Sequence, residues 1–334
     1  IDIEIKEDLI EEVGRIYGVN NIKGKLPVVP MKMGSCDKTM RKIRHKMCDL
    51  GLNETLSYIL INDKDVKKFT VDEFEELRLL DPITEDRNTL RYSIIPSLYK
   101  IYEYNKAREN KDVCLFEIGK GFWKKNEEYG ENKKICVLMS GKYYNKIGYN
   151  KQIDFYDIKG VTEELLDYLG YNGRYSFVMP KQMPNEFHPG QTAEISVNND
   201  IVGIIGRIHP EIEKEDVFVM EINLDKLLAK RVGKMKFKEI SKFPVIKKDL
   251  SILVDKNKTS QEIATKIKKK AGKLLIEINV FDLYEGKNID ENKKSLAYSL
   301  TFGDSNRTLN DEEISSIMDK IIIDLEKDGM ELRK

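Results

Sequence analysis

The sequence contains little cysteine, with four residues in 334 and no C-x-x-C pair or other metal-binding spacing among them. These residues are Cys36, Cys48, Cys114 and Cys136. The pattern argues against a disulfide scaffold and against a structural zinc site. Free thiols are typical of a reducing compartment, so we expect a cytoplasmic protein.

Histidine is also scarce, and the chain lacks long apolar runs and net charge. The three histidines, His45, His188 and His209, have no metal-ligand spacing, and two of them precede proline, where turn and cap roles are usual. No apolar run reaches about 18 residues, which gives no sign of a membrane span. The 57 basic and 57 acidic residues cancel, which argues against a protein that coats DNA. Any contact with RNA would therefore depend on local patches.

At 334 residues the chain is too long for one compact core, so we expect more than one domain. Residues 1–27 contain a strand-like start and an amphipathic helix over residues 8–17, which is too little to fold alone. The chain begins without an initiator methionine, so we expect it to be a piece of a longer polypeptide. Pro27 and Pro30 hold the next stretch extended, which indicates a boundary there.

Residues 36–232 show the mixed pattern of an α+β domain around an antiparallel sheet. Apolar runs on either side of polar turns predict hairpins, one of them turning at residues 198–200. Helices predicted over residues 96–108 and 157–169 would pack on this sheet. An earlier helix carries an apolar stripe of Met40, Ile43, Met47 and Leu50. That stripe fits an intramolecular core at least as well as a surface for a partner protein, and the two are compatible.

Residues 240–334 have the order strand, helix, strand, strand, helix, strand. Over residues 295–302, large apolar side chains alternate with small or hydroxyl-bearing ones. Two helices, one opening with the capping-box pattern Thr259-x-x-Glu262 and one ending at Gly329, would cover the apolar face. The opposite face stays open, as in ferredoxin-like (βαββαβ) modules that lay single-stranded RNA across a sheet. In this strand the open-face residues are Ser295, Ala297, Ser299 and Thr301.

Three motifs occur in a characteristic order. The first consists of Asp2, Asp8, Glu11 and Glu12 with Arg15-Ile16-Tyr17-Gly18. The second runs from Leu90-Arg91 to Leu115-Phe116-Glu117-Ile118-Gly119. The third runs from Phe281-Asp282-Leu283-Tyr284-Glu285-Gly286 to Arg307-Thr308-Leu309-x-Asp311-Glu312-Glu313. Through these motifs nearly the whole chain resembles the carboxy-terminal part of the β subunit of bacterial phenylalanyl-tRNA synthetase.

This resemblance implies three parts. Residues 1–27 would be the tail of a preceding domain with an acidic metal-site helix. Residues 36–232 would be a catalytically inactive class II synthetase-like domain, and residues 240–334 a ferredoxin-like anticodon-binding domain. The amino-terminal and editing regions of the family would lie upstream and outside this chain.

The motifs of class II catalysis are missing or weak. That chemistry needs one arginine to orient the α-phosphate and carboxylate, and a second, after a glycine-rich strand, to hold ATP. Residues 115–119 occupy the place of the first without an arginine. Residues 203–207 are the nearest match to the second, and they are better explained as a hairpin strand with two glycines. We therefore expect the complex to use ATP, and this chain alone neither to bind ATP nor to catalyse a reaction.

Acidic residues near the start of the chain suit a metal ion. Asp8, Glu11 and Glu12 share one helical turn, and Asp2 approaches from the preceding segment. Oxygen ligands of this kind suit Mg²⁺, but acids in a first turn also cap a helix and complement its dipole, and the residues alone favour capping. The resemblance implies instead that these four positions bind a Mg²⁺ ion shared with the α subunit.

Asp282, Tyr284 and Ser295 are predicted to lie around the hairpin end of the open sheet face. Tyr284 offers a ring on which an unstacked base can stack, and the other two can read donors and acceptors on a base edge. A tyrosine at a strand end is also a common packing residue. The resemblance is the main reason to favour base contact.

Two lysine pairs precede strands of the same domain, Lys247 with Lys248 and Lys293 with Lys294. Solvated lysines are the usual interpretation of such pairs, but they could also neutralise phosphates. We select Lys248 and Lys294 as candidate tRNA-binding residues.

The resemblance predicts a noncatalytic β-subunit fragment of phenylalanine-tRNA ligase. It would bind a catalytic α subunit in an α2β2 heterotetramer and would bind the tRNA anticodon during ATP-dependent charging, with no membrane or DNA partner. One alternative is a free-standing RNA-binding protein with a ferredoxin-like domain. Another is an active class II ligase, against which the missing arginines argue.

Overall fold

The computed structural model describes residues 2–30, 32, 34, 36–143, 151–232, 241–286, 289–290 and 292–333. The chain divides into two compact units, Ile1–Lys234 and Met235–Lys334. The helices are α1 (Lys6–Tyr17), α2 (Thr39–Asp49), α3 (Asp63–Val66), α4 (Ile95–Lys106), α5 (Phe155–Tyr168), α6 (Leu224–Leu228), α7 (Ser260–Ala271) and α8 (Asp311–Lys327). The strands are β1 (Asn53–Glu54), β2 (Leu60–Ile61), β3 (Thr89–Leu90), β4 (Val113–Lys125), β5 (Glu128–Ser140), β6 (Tyr175–Val178), β7 (Phe187–Val197), β8 (Asp200–Ile208), β9 (Val217–Asn223), β10 (Ile246–Asp255), β11 (Leu275–Tyr284), β12 (Lys293–Phe302) and β13 (Glu331–Leu332).

A seven-stranded sheet in the order β1-β4-β5-β9-β8-β7-β6 forms the centre of the first unit. β1 pairs with β4 in parallel, and the other neighbours are antiparallel. Because a pleated strand sends alternate side chains to opposite faces, β4 and β5 contribute to two cores. Phe116 and Val137 belong to the core that includes residues of α2 and α5, and Leu115 and Leu138 to the core that includes residues of α4.

The apolar stripe of α2 is part of the first of these cores. Ile43 and Met47 are fully buried, and Met40 and Leu50 pack against the same cluster. The stripe therefore stabilises the unit internally, which confirms the core interpretation.

The segment between β1 and β2 is irregular. Residues 55–61 do not form a continuous strand, because β1 and β2 belong to different sheets. Between them the Thr55 amide donates to the Phe116 carbonyl at 2.8 Å, and the Ser57 amide donates to the Glu117 carboxylate at 3.2 Å. The segment thus follows β4 through individual hydrogen bonds and then leaves it.

The second unit is a four-stranded antiparallel sheet in the order β11-β12-β10-β13. Side chains of α7 and α8, among them Ile263 and Ile314, pack with Tyr298 and Leu300 of the central strand into one core. The predicted capping box is confirmed, since Thr259 and Glu262 exchange hydrogen bonds of 3.3 Å each. The βαββαβ order and the single helix-covered face are those of the predicted ferredoxin-like fold.

Among the residues described, none of the helices combines the length and the apolar character that crossing a membrane requires.

Candidate nucleic-acid interface

In the described part of the second unit, one face of the sheet carries no helix. The strand register places Tyr284 opposite Ser295, and Asp282 opposite Ala297. Leu296 and Tyr298, which alternate with these β12 residues, lie in the helix-covered core. The structure therefore brings the predicted residues Asp282, Tyr284 and Ser295 together at one end of the open face.

A β-bulge in β11 makes this grouping possible. The register shifts between Val280 and Asp282, so that Phe281 is an extra residue in the strand. Because a bulge shifts the alternation by one residue, Asn279 before it and Asp282 after it lie on the same face. Without the bulge, Asp282 and Tyr284 would face the helices.

The small residues of the open face are less accessible than their position suggests. Ser295 is 3% exposed and Ala297 is 8% exposed. The hydroxyl of Ser295 lies 3.3 Å from that of Ser251 on β10. By contrast, Asp282 is exposed and Tyr284 is half-buried. An incoming base would therefore meet Asp282 and Tyr284 before it reached Ser295.

Lys248 and Lys294 lie on the helix-covered face, away from Tyr284. Lys294 pairs with the buried Val254 in the sheet, and its ammonium group donates to the Lys256 carbonyl at 2.9 Å. The Lys248 ammonium lies 3.7 Å from a carboxylate oxygen of Asp311 at the start of α8. The structure does not bring these two predicted lysines to the same face as the predicted base-contacting residues.

Their sequence neighbours Lys247 and Lys293 lie on the open face, because the pleat separates adjacent residues. Lys247 pairs with Thr301 in the sheet. Lys293 donates to Glu331 at 2.6 Å, and this hydrogen bond raises the pKa of the Lys293 ammonium group. Lys247 and Lys293 are therefore the two of these four lysines that share a face with Ser295.

Arg333 is a residue of this face that the sequence reasoning missed. Its guanidinium carbon lies 4.8 Å from the centroid of the Tyr284 ring. The two residues are 49 positions apart, and they meet only because β13 pairs with β10. No local pattern in the sequence indicates such a contact.

The acidic helix α1 uses its carboxylates locally. It begins at Lys6, two residues earlier than predicted, so Asp8 lies inside the first turn. The Asp8 carboxylate accepts hydrogen bonds from the amides of Glu4 and Ile5 at 2.9 and 3.0 Å, and these bonds, that of Ile5 first, lower its pKa. The Glu12 carboxylate accepts from Arg15 at 2.5 Å, which lowers the pKa of Glu12.

The described residues contain no group of three or more histidine, cysteine or acidic side chains placed to hold a metal ion. Asp2, Asp8, Glu11 and Glu12 are oxygen donors of the kind that Mg²⁺ prefers. Their arrangement in this chain does not fit a formed magnesium site, since Asp8 serves as a cap and Glu12 pairs with Arg15.

The first unit holds a buried ionic cluster at β4. Arg91 and Glu117 form an ion pair of 2.7 Å with side chains that are 1% and 3% exposed. Arg91 also donates to the Ser57 hydroxyl at 2.7 Å and to the Lys120 carbonyl at 3.0 Å. An added Cβ at Gly119 would lie 2.3 Å from the guanidinium. The Arg91 guanidinium therefore serves the fold.

The glycine-rich strand β8 also has a structural explanation. A Cβ added at Gly203 would lie 2.3 Å from the Glu221 carbonyl oxygen of the neighbouring strand, so this close approach requires glycine. Arg207 at the end of the motif pairs with Asp216 at 2.6 Å. The role of residues 203–207 as a hairpin strand therefore explains both the glycine at residue 203 and the ion pair of Arg207.

Comparison with known families agrees with this geometry. Residues 241–333 match the family model described as a ferredoxin-fold anticodon binding domain, so the second unit is a module of that class. Residues 22–224 match the model described as the phenylalanyl tRNA synthetase beta chain CLM domain. Because this second match covers more than half of the chain, the chain belongs to the phenylalanyl-tRNA synthetase beta chain family.

Curated proteins with similar sequences are named as phenylalanine-tRNA ligase beta subunits. The chain is 35% identical over 336 residues to the phenylalanine-tRNA ligase beta subunit of Bacillus subtilis (strain 168), which covers 97% of this chain and 42% of the relative. For the phenylalanine-tRNA ligase beta subunit of Bacillus licheniformis the identity is 36% over 337 residues, with the same coverage. The chain thus spans less than half the length of these relatives. Among solved structures, a pyrrolysyl tRNA synthetase from Desulfitobacterium hafniense matches with a TM-score of 0.43 and 15% identity. The match covers 57% of this chain and 66% of that one. This similarity is too low to define a shared fold.

Proposed function

We propose that this chain serves as a noncatalytic β-subunit part of a phenylalanine-tRNA ligase, which binds a catalytic α subunit and the tRNA anticodon during ATP-dependent charging with phenylalanine. The observation that carries the proposal is the open sheet face within a unit that matches an anticodon-binding module. Membership in the beta chain family favours this role over that of a free-standing RNA-binding protein. The site of action would be the cytoplasm.

Asp282 and Tyr284 would make the first contacts with the anticodon, because they are the accessible members of the predicted group. Ser295 would contact a base only after the side chains around it move, since it is 3% exposed. Lys248 and Lys294 stay predictions of phosphate contact, and they lie on the other face of the sheet.

The first unit would be a class II synthetase-like domain without catalytic function. In support, the carboxylate at the place of the first motif arginine is neutralised inside the protein by Arg91. Arg207, the nearest counterpart of the second motif arginine, is paired with Asp216. With Arg91 and Arg207 engaged in this way, neither is free to orient an α-phosphate, so we assign adenylate formation and acyl transfer to the α subunit.

A groove in the first unit is a candidate surface for the α subunit. It is about 580 Å³ in volume and is lined by Leu56, Tyr58 and Ile101 among others. Leu56 is 86% exposed and Tyr58 is 64% exposed, and Ile83 in the following loop is fully exposed. Large apolar side chains exposed in this way are typical of a surface that another protein covers. The complex would be an α2β2 heterotetramer.

The magnesium site would form only with ligands from the partner. Asp2, Asp8, Glu11 and Glu12 are the proposed ligands on this chain, and the cap at Asp8 and the ion pair at Glu12 would have to be exchanged for metal contacts. The chain alone should therefore lack tight binding of Mg²⁺.

Reconstitution tests these proposals together. The full-length parent of this chain is mixed with a candidate α subunit, and co-elution, ATP-pyrophosphate exchange, tRNA charging and Mg²⁺ binding by calorimetry are measured. We expect co-elution, charging by the mixture only, and no exchange activity or stoichiometric Mg²⁺ binding by the β chain alone. Exchange activity of the β chain alone would revive the active-ligase alternative. Absence of any α-subunit association would favour the free-standing RNA-binding protein, and tight Mg²⁺ binding by the β chain alone would contradict the shared site.

A further inference from the structure

The guanidinium of Arg333 and the ring of Tyr284 meet across the open face, although they come from opposite edges of the sheet. Tyr284 ends β11 and Arg333 follows β13, which are the two edge strands. With neighbouring strands about 4.8 Å apart, the edges are roughly 14 Å apart. The two side chains therefore reach toward each other over β12 and β10, until the guanidinium carbon lies 4.8 Å from the ring centroid.

Mostly small residues lie on the open face between the two edges. They are Ser251 on β10 and Ser295 and Ala297 on β12, and the half-buried Leu253 of β10 lies beside Ser295. Ser295 and Ala297 are 3% and 8% exposed, although they lie on the face opposite the core formed with α7 and α8. Larger side chains at these positions would hold the ring and the guanidinium apart.

The short strand β13 fixes the direction of Arg333. The backbone amide of Arg333 donates to the Ser251 carbonyl at 2.9 Å. The preceding residue, Leu332, pairs with Ile252. Ile252 is part of the helix-side core, so the alternation of the strand directs Arg333 to the open face. Within the described part of the chain, its guanidinium forms no hydrogen bond or ion pair, and its donors are available to a ligand.

We propose that Tyr284 and Arg333 are the two walls of a clamp for a single unstacked RNA base, with the ring on one side and the guanidinium plane on the other. Aromatic rings and arginine planes are the two side-chain surfaces on which proteins stack splayed bases. A base between two planes needs about 7 Å, or two contacts of about 3.5 Å. The guanidinium must therefore withdraw by roughly 2 Å, which rotation about the bonds of its flexible side chain provides. This inference rests on the proposed tRNA-binding function and adds Arg333 to it.

The test compares arginine with lysine at this position. Complexes of the full-length parent with its α subunit are titrated with a phenylalanine tRNA transcript that carries the fluorescent base 2-aminopurine at one anticodon position at a time. The variants are Arg333→Ala, Arg333→Lys, Tyr284→Ala and the double variant with alanine at both positions. Arg307→Lys is the matched control, because Arg307 belongs to the same unit and is held by two hydrogen bonds to Glu313. Circular dichroism confirms that each variant is folded.

We expect Arg333→Ala and Arg333→Lys to weaken binding by similar factors, roughly 5- to 100-fold, because lysine keeps the charge and loses the stacking plane. The fluorescence quenching on binding should be lost at one anticodon position only, and Arg307→Lys should bind like the wild type. The double variant should lose less than the product of the two single losses, because either wall alone cannot hold the base.

Other results would overturn the clamp. Wild-type affinity of Arg333→Lys would show a contact of charge alone, and wild-type affinity of Arg333→Ala would show no contact. Single losses that simply multiply in the double variant would show two separate contacts. In each of these cases the wild-type complex still binds tRNA, so the proposed function survives. A wild-type complex that does not bind the transcript would overturn the proposed function and the clamp together.

Discussion

Single residues of the first unit show how a charged side chain is committed to stability. Arg91 and Glu117 are withdrawn from water, and each satisfies the other's charge at 2.7 Å. Removal of one partner from such a pair leaves an uncompensated buried charge, which costs far more than the loss of an exposed ion pair. Burial of Arg91 and Glu117 as a pair thus explains why both charges are tolerated inside the first unit.

The substitution Glu117→Gln should lower the free energy of unfolding of the first unit by about 3 to 5 kcal/mol, because Arg91 would stay buried without a counter-charge. Urea unfolding is followed by the fluorescence of Trp123, the single tryptophan of the chain, which lies in β4. Glu131→Gln is the control, since Glu131 pairs with Lys120 in an exposed position and should cost less than about 1 kcal/mol. Equal losses of unfolding free energy in the two variants would mean that the buried ion pair stabilises the unit no more than the exposed one.

At the scale of elements, turn chemistry determines how the strands pair. The β7–β8 hairpin closes through Asn198 and Asn199, whose φ angles are 52° and 67°. Two left-handed residues between antiparallel strands are the signature of a type I′ turn, in which asparagine is tolerated and branched side chains are not. The turn sets the register of β7 against β8, in which Val197 pairs with Asp200 and Ser196 with Ile201.

Asn199→Val should therefore destabilise the first unit by about 1 to 2 kcal/mol, and Asn199→Gly should change its stability by less than about 1 kcal/mol. The same unfolding measurement applies. Asn172→Val is the control, at an exposed position where the backbone has no positive φ. A valine at residue 199 that is as harmless as one at residue 172 would contradict the turn assignment.

Regular elements follow from the sequence because their signals are local. The alternation over residues 295–302 and the capping pattern at Thr259 each lie within a few residues, and the structure confirms both. The bulge at Phe281 has no such signal, because it depends on how β11 fits β12. The splitting of the lysine pairs between the two faces follows from the pleat, which applies to adjacent residues in any strand.

The candidate site was predictable only in part, because some of its contacts are local in sequence and others are not. Asp282, Tyr284 and Ser295 are close in sequence to one hairpin, so a local argument combined with the family resemblance groups them. The contact of Arg333 with Tyr284 depends on the pairing of β13 with β10, which joins residues about 80 positions apart along the chain. Long-range pairing of a two-residue strand leaves no periodic pattern to recognise.

At the scale of the whole molecule, the two units have different surfaces and different proposed roles. The first unit commits Arg91 and Arg207 to internal contacts and carries exposed apolar side chains, and in the described part of the second unit one sheet face carries no helix. A protein built in this way would position RNA and a catalytic partner without carrying out the chemistry itself. Its contribution to charging should therefore appear as tRNA affinity.

The central claim is that the open face binds the tRNA anticodon. The most direct measurement is the affinity of the full-length complex, wild type and Tyr284→Ala, for a phenylalanine tRNA transcript and for one whose three anticodon bases are replaced. We predict that Tyr284→Ala weakens binding of the cognate transcript by roughly 5- to 100-fold and changes binding of the substituted transcript by less than about two-fold. Tyr129→Ala, at an exposed tyrosine of the first unit, should affect neither transcript. Unchanged cognate affinity in Tyr284→Ala, or an equal loss for both transcripts, would contradict the claim.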